Sequence, residues 1–115
     1  MSKHETHVSL RHMLDHAREA VAMAQGRSRR DLATDRMFGL AMIRLLEIVG
    51  EAASRVPTED RTGLPEVPWR SVVGLRNRLI HAYDFIDYDI VWDLVRDDLP
   101  PLVASLEAAL RSRES

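Results

Sequence analysis

Between Asp35 and Arg55 the chain places Phe38, Leu40, Ala41, Met42, Ile43, Leu45, Leu46, Ile48 and Val49 around most of the circumference of a helix. A helix apolar on so many sides is buried among neighbours rather than laid on a surface. Thr34 or Asp35 can cap its start. Its polar interruptions, Arg44, Glu47 and Glu51, are spaced three and four residues apart and share one line. That line reads either as a solvent-facing stripe with internal ion pairs or as the wall of a polar cleft or partner contact.

The flanking segments keep the same period. Leu10, Met13, Leu14, Ala17, Val21 and Ala24 form one stripe of a helix over Val8 to Gln25, Gly26 offers a stop, and Arg27 to Arg30 is a short basic connector. Pro57 to Pro68, with Gly63 and Pro65 inside, reads as an irregular loop. Pro68 suits the first turn of a third helix, where its missing N–H costs nothing. That helix is expected from Trp69 to about Tyr83, with Val72, Val73, Leu75, Leu79 and Ile80 on its apolar side. Asp87 can cap a fourth helix from Tyr88 onward, which Pro100 and Pro101 must break or kink near Leu99. Leu102, Leu106 and Leu110 then continue the period. The predicted fold is all-α, an antiparallel bundle of four to five helices with the last kinked or broken near Pro100. One domain is expected over residues 1–115, its core over about 8–110.

Composition narrows the function classes. Hydrophobic residues make up 45% of the chain and the net charge is only −2, which argues against disorder. Without cysteine there is neither a disulfide framework nor a thiolate metal site. No uninterrupted apolar run exceeds five residues, and Met1 to Thr6 is polar, so neither a membrane span nor a signal peptide is expected and a cytoplasmic protein is the default. The slightly acidic balance means that any RNA contact must come from a local cluster.

Five histidines raise the question of a metal. His12 and His16 are four apart on one helix face, which is ligand spacing, but no third ligand stands nearby, and His4 and His7 fall in a terminus expected to fray. A solvent-facing pair is the simpler reading, and no metal or other cofactor is expected. His81 has different neighbours: Leu75-Arg76-Asn77-Arg78-Leu79-Ile80-His81-Ala82-Tyr83. Histidine exchanges protons near neutral pH, and the two arginines match phosphate geometry. On a continuous helix Asn77 shares the face of His81, Arg76 lies about 140° away, and Tyr83 returns to the face of Arg76. Arg76 and His81 must then converge through the arginine's reach, through irregularity or across a subunit boundary. By spacing alone the cluster could equally be a capping and hydrogen-bond network at a helix C-terminus.

The order of these residues resembles the HepT-like proteins of the HEPN superfamily. The likeness rests on Arg76-x4-His81-x-Tyr83, preceded by Pro65-Glu66-Val67-Pro68-Trp69-Arg70 and Gly74-Leu75; on Leu46-Glu47-Ile48-Val49-Gly50-Glu51-Ala52-Ala53; and on Val91-Trp92 with Asp98-Leu99-Pro100. The Arg-x4-His core alone is weak, but the three segments in order are specific. The resemblance implies the toxin of a two-gene toxin–antitoxin module, paired with a nucleotidyltransferase antitoxin of the MNT type. It implies a homodimeric, metal-independent endoribonuclease acting on messenger or transfer RNA, with Arg76 and His81 catalytic and Asn77 and Arg78 in support. It also implies that the antitoxin transfers AMP to Tyr83. The competing expectation is a non-catalytic nucleotide- or RNA-binding subunit of a nucleotidyltransferase complex.

Overall fold

The computed structural model describes the backbone of residues 2–82 and 85–114 and the side chains of 2–79 and 86–113. Helix α1 spans Lys3–Ala24 and starts earlier than its apolar stripe suggests. Ser2 Oγ accepts from the Glu5 N–H and the Glu5 carboxylate accepts from the Ser2 N–H, both at 3.1 Å. This capping box satisfies two otherwise orphaned donors, so His4 and His7 lie inside the helix and not in a frayed end. Gly26, at φ +73°, is the stop. The expected connector then folds into a short helix, α2 (Arg29–Thr34), where the Asp31 carboxylate accepts from the Ser28 N–H at 2.8 Å.

Helix α3 (Arg36–Ser54) has the predicted extent, with Asp35 Oδ1 accepting from the Phe38 N–H at 3.2 Å. It packs on α1 through Met42, Leu46 and Val49, all fully buried, opposite Leu10, Met13 and Leu14. Burial does not extend all the way round. Met37 is 82% exposed and Leu40 51%, on the outward line that also carries Arg44. Gly39 marks the closest approach to α2, since a Cβ there would sit 2.4 Å from the Leu32 carbonyl oxygen. Within the expected loop, Thr58–Thr62 forms a short helix, α4, and Thr6 Oγ1 donates to Asp60 Oδ2 at 2.5 Å. That bond ties the start of α1 to the chain just beyond the end of α3, as an antiparallel pair requires.

The third predicted helix is where expectation and structure part. It forms in two pieces, α5 (Trp69–Val73) and α6 (Leu75–Leu79), divided at Gly74. The chain then extends. Ile80–Ala82 (β1) pairs antiparallel with Phe85–Ile86 (β2), Ile80 opposite Ile86 and Ala82 opposite Phe85. Helices of five residues have no stability of their own, so packing and the ribbon set their ends. The helix expected to reach Tyr83 therefore ends at Leu79, and Tyr83 lies outside the described residues.

Asp87 caps α7 (Tyr88–Asp93) by accepting from the N–H groups of Asp89 and Ile90. The expected break before the two prolines takes the form of a π-helical segment, Leu94–Asp98, that runs straight into α8 (Leu99–Glu114). Pro100 and Pro101 have no N–H to give the carbonyls four residues back. The wider winding, with the Leu99 N–H bonded to the Leu94 carbonyl, absorbs that loss without leaving the helix. Leu102, Leu106 and Leu110 complete the core, and Arg113 Nη2 donates to the Lys3 carbonyl at 2.9 Å, setting α8 antiparallel to α1. The class is all-α, a HEPN-type helical bundle with one small ribbon. Among the described residues no helix is long and apolar enough to cross a membrane.

Candidate active site

Helix α6 is anchored by its two ends. Leu75 and Leu79 are buried, and the three residues between them, Arg76, Asn77 and Arg78, face solvent. The anchor is tight because α3 offers Gly50. A Cβ at that position would lie 3.4 Å from Leu75 Cβ and from the Val72 carbonyl, and 3.8 Å from the Arg76 nitrogen. The backbone of the motif thus rests almost directly on the central helix.

The two arginines differ. Arg78 Nη2 meets Asp98 Oδ2 of the π segment at 3.3 Å. Among the described residues Arg76 has neither a carboxylate nor a hydrogen-bond partner for its guanidinium. Both stand in the last turn of α6, where a cation complements the helix dipole. A free, exposed guanidinium is also ready for a phosphate.

His81 sits in β1, beyond the helix end, so the 140° separation of a continuous helix does not apply. Three helical rises and two extended residues hold the two backbones within about 11 Å along the chain. The imidazole of His81 and all of Tyr83 lie outside the described side chains. On α3, Arg44 Nη1 and Glu51 Oε1 are 3.4 Å apart and solvent-facing, with Glu47 half-buried. Arg44 and Glu51 are thus paired with each other on the surface of the single chain.

A cleft of about 270 Å³ opens beside Arg78, between α5–α6 and the junction of the π segment with α8. Ser71 and Asp98 line it over the buried Leu75 and Leu99. Sequence reasoning placed Asp98 only within the Asp98-Leu99-Pro100 pattern. Its pairing with Arg78, twenty residues away, has no local signal beyond an acidic residue immediately before a Pro-Pro step. The neighbouring Asp97 is held below the usual carboxylate range by its hydrogen bonds from Arg96, at 3.0 and 3.2 Å.

The His12–His16 pair has ring centroids 5.8 Å apart, and His16 Nδ1 lies 2.6 Å from the His12 carbonyl oxygen. Among the described residues no group of three His, Cys, Asp or Glu side chains is placed to hold a metal ion.

Comparison with known proteins supplies the context. The family profile described as "Ribonuclease HepT-like" matches residues 13–109. "Putative RNase MJ1380" of Methanocaldococcus jannaschii is 36% identical over 93% of this chain and 98% of its own length. "Probable ribonuclease HepT" of Thermococcus cleftensis is 39% identical over 67% of this chain and 70% of its own. "Putative RNase TTE0752" of Caldanaerobacter subterraneus subsp. tengcongensis is 31% identical over 91% and 94%. No solved structure matches the chain significantly.

Proposed function

This chain belongs to the HepT-like ribonuclease family, and from that premise we propose that it is a metal-independent endoribonuclease that cuts messenger or transfer RNA. The observation that carries the reading is the Arg76 guanidinium, without a partner among the described residues and exposed in the last turn of α6 a few residues from the backbone of His81. RNA brings its own nucleophile, the 2′-hydroxyl. One imidazole takes the 2′-hydroxyl proton as the 2′-oxygen bonds to phosphorus, and the bond from phosphorus to the 5′-oxygen breaks as that oxygen is protonated. Arg76 stabilises the charge that builds on the non-bridging oxygens. Asn77 fixes the imidazole or a phosphate oxygen, and Arg78 adds to the local field.

A homodimer would supply acid and base from two copies of His81. The exposed Met37 and Leu40 of α3 give a second copy an apolar patch to cover. The chain would act as the toxin of a two-gene module whose MNT-type nucleotidyltransferase antitoxin transfers AMP to Tyr83. A bulky anion on that tyrosine would compete with substrate phosphate for Arg76 by the electrostatics that phosphorylation uses.

The test is cleavage of total transfer and messenger RNA in EDTA by the unmodified protein and by His81→Ala. Cleavage that survives chelation and disappears in the variant supports the mechanism. Cleavage that His81→Ala retains in full refutes it, and binding without cleavage by the native chain favours the non-catalytic subunit. Tyr83→Phe is expected to stay toxic and to escape the antitoxin. Equal silencing of that variant would mean that the antitoxin neutralises by binding alone.

A further inference from the structure

The cleft beside Arg78 shares its helix with the motif, yet of its lining the chemistry above uses Arg78 alone. Its floor is apolar, made by Val72, Leu75, Leu99 and Leu102, each at most 4% exposed. At about 270 Å³ it falls just short of the roughly 300 Å³ at which sites for drug-sized ligands begin, so it suits one planar ring system better than a whole nucleotide. Pro68 and Pro101, both exposed, give it flat apolar walls at its opening.

Its polar groups are Ser71, Arg78 and the carboxylates of Asp97 and Asp98, of which Asp97 is already taken by Arg96. Asp98 Oδ2 meets Arg78, and the other oxygen of that carboxylate has no partner among the described residues. Arg78 keeps further N–H donors beyond the one it gives Asp98. The pair is exposed, 44% at Arg78 and 49% at Asp98, and exposed pairs contribute little to stability, so a ligand can open this one cheaply. The carboxylate is placed by a π segment, a winding that often marks functional sites.

We propose that this cleft is a base-recognition subsite, which takes one unpaired guanine of the RNA next to the cleaved bond; this rests on the ribonuclease reading. Guanine alone among the common bases offers two adjacent donors, N1–H and the N2 amino group, to a carboxylate, with the O6 acceptor beside them for an arginine. Asp98 receives the two donors, Arg78 swings to O6, and the ring lies against the prolines over the leucine floor. Asp98 is thus a specificity-determining residue, while Arg76 and His81 act on the phosphate one step along the strand.

The experiment uses the full-length native protein and Asp98→Asn, with thermal melting as the check that both are folded. Cleavage of a randomised RNA pool locates the preferred position. Fluorescein-labelled oligonucleotides carrying guanosine, inosine or adenosine at that position are then compared for kcat/KM and, by anisotropy, for binding. Inosine lacks only the N2 amino group. The native protein should prefer guanosine over inosine roughly five- to hundredfold, the range for a bidentate base contact, and Asp98→Asn should bring the ratio close to one. Equal handling of the three bases by the native protein, or a preference that Asp98→Asn leaves intact, overturns the subsite. If nothing is cleaved, the ribonuclease reading fails by itself. The guanosine-over-inosine ratio in binding, and its loss in Asp98→Asn, then decides the subsite independently, with oligonucleotides bearing guanosine at every position as the probe.

Discussion

Along α1, α3 and α8 every third or fourth side chain is sealed from water. Along α6 only Leu75 and Leu79 are sealed, and the three residues between them are open. The long helices hold each other through an extended apolar seam, whereas the α5–α6 arm is two five-residue helices laid against α3, divided at a glycine and followed by a short ribbon. Stability is therefore concentrated in the seam. The arm adds its own buried anchors, Val72, Leu75 and Leu79, and between the last two it presents three polar side chains to solvent. Substituting one of the seam's buried leucines should accordingly be read in stability, and substituting one of the arm's exposed polar residues in cleavage.

The largest effect expected is in the seam. Leu46→Ala removes a fully buried side chain from α3 and should cost about 2–5 kcal/mol, read from the urea midpoint at unchanged slope. Next comes the arm. Arg76→Ala should lower kcat for RNA cleavage roughly 10²- to 10³-fold while shifting stability by no more than about 0.5 kcal/mol. If Arg76→Ala moved the urea midpoint as far as Leu46→Ala does, the two regions would not be separable.

The glycines of α3 sharpen the contrast. Gly39→Ala drives a methyl to 2.4 Å from the Leu32 carbonyl oxygen, a backbone atom, and should destabilise by about 1–3 kcal/mol. Gly50→Ala meets its neighbours at 3.4 Å and should change the urea midpoint little. Its cost, if α6 shifts, would appear in cleavage instead.

The smallest effect is one of pH. The Arg27 hydrogen bond at 2.8 Å, and the Phe38 N–H, hold Asp35 below its usual range. The Ser28 N–H and Arg27 do the same for Asp31. Groups whose folded pKa is depressed add stability above the unfolded value and lose it as pH falls through the folded one. Stability should therefore decline below about pH 4, and Asp35→Asn should make that decline shallower. A midpoint that stayed flat down to pH 2 would mean that these pairs are too solvated to matter.

What the residues disclosed and what they concealed follow the same division. The extent of α3, its cap at Thr34 or Asp35, the cap at Asp87 and the stop at Gly26 were all legible, because each is a local rule acting within one or two turns. The start of α1 was misplaced because its capping box sits on polar residues outside the apolar stripe. The end of the motif helix was misplaced for a different reason. Apolar spacing at Leu75, Leu79 and Ile80 fits a helix or a strand equally well at so short a length.

By itself, the sequence determined an all-helical bundle built on a buried α3, and the linear order of Arg76, Asn77, Arg78, His81 and Tyr83. Only the tertiary structure decided that α6 ends at Leu79, that the double proline is met by a π segment, and that Arg78 faces Asp98 while Arg76 has no such partner among the described residues. The physical reason is range. Periodicity and capping are written within a turn or two of chain. The ends of a five-residue helix, and the partner of an exposed arginine, are set by contacts with residues twenty or more positions away.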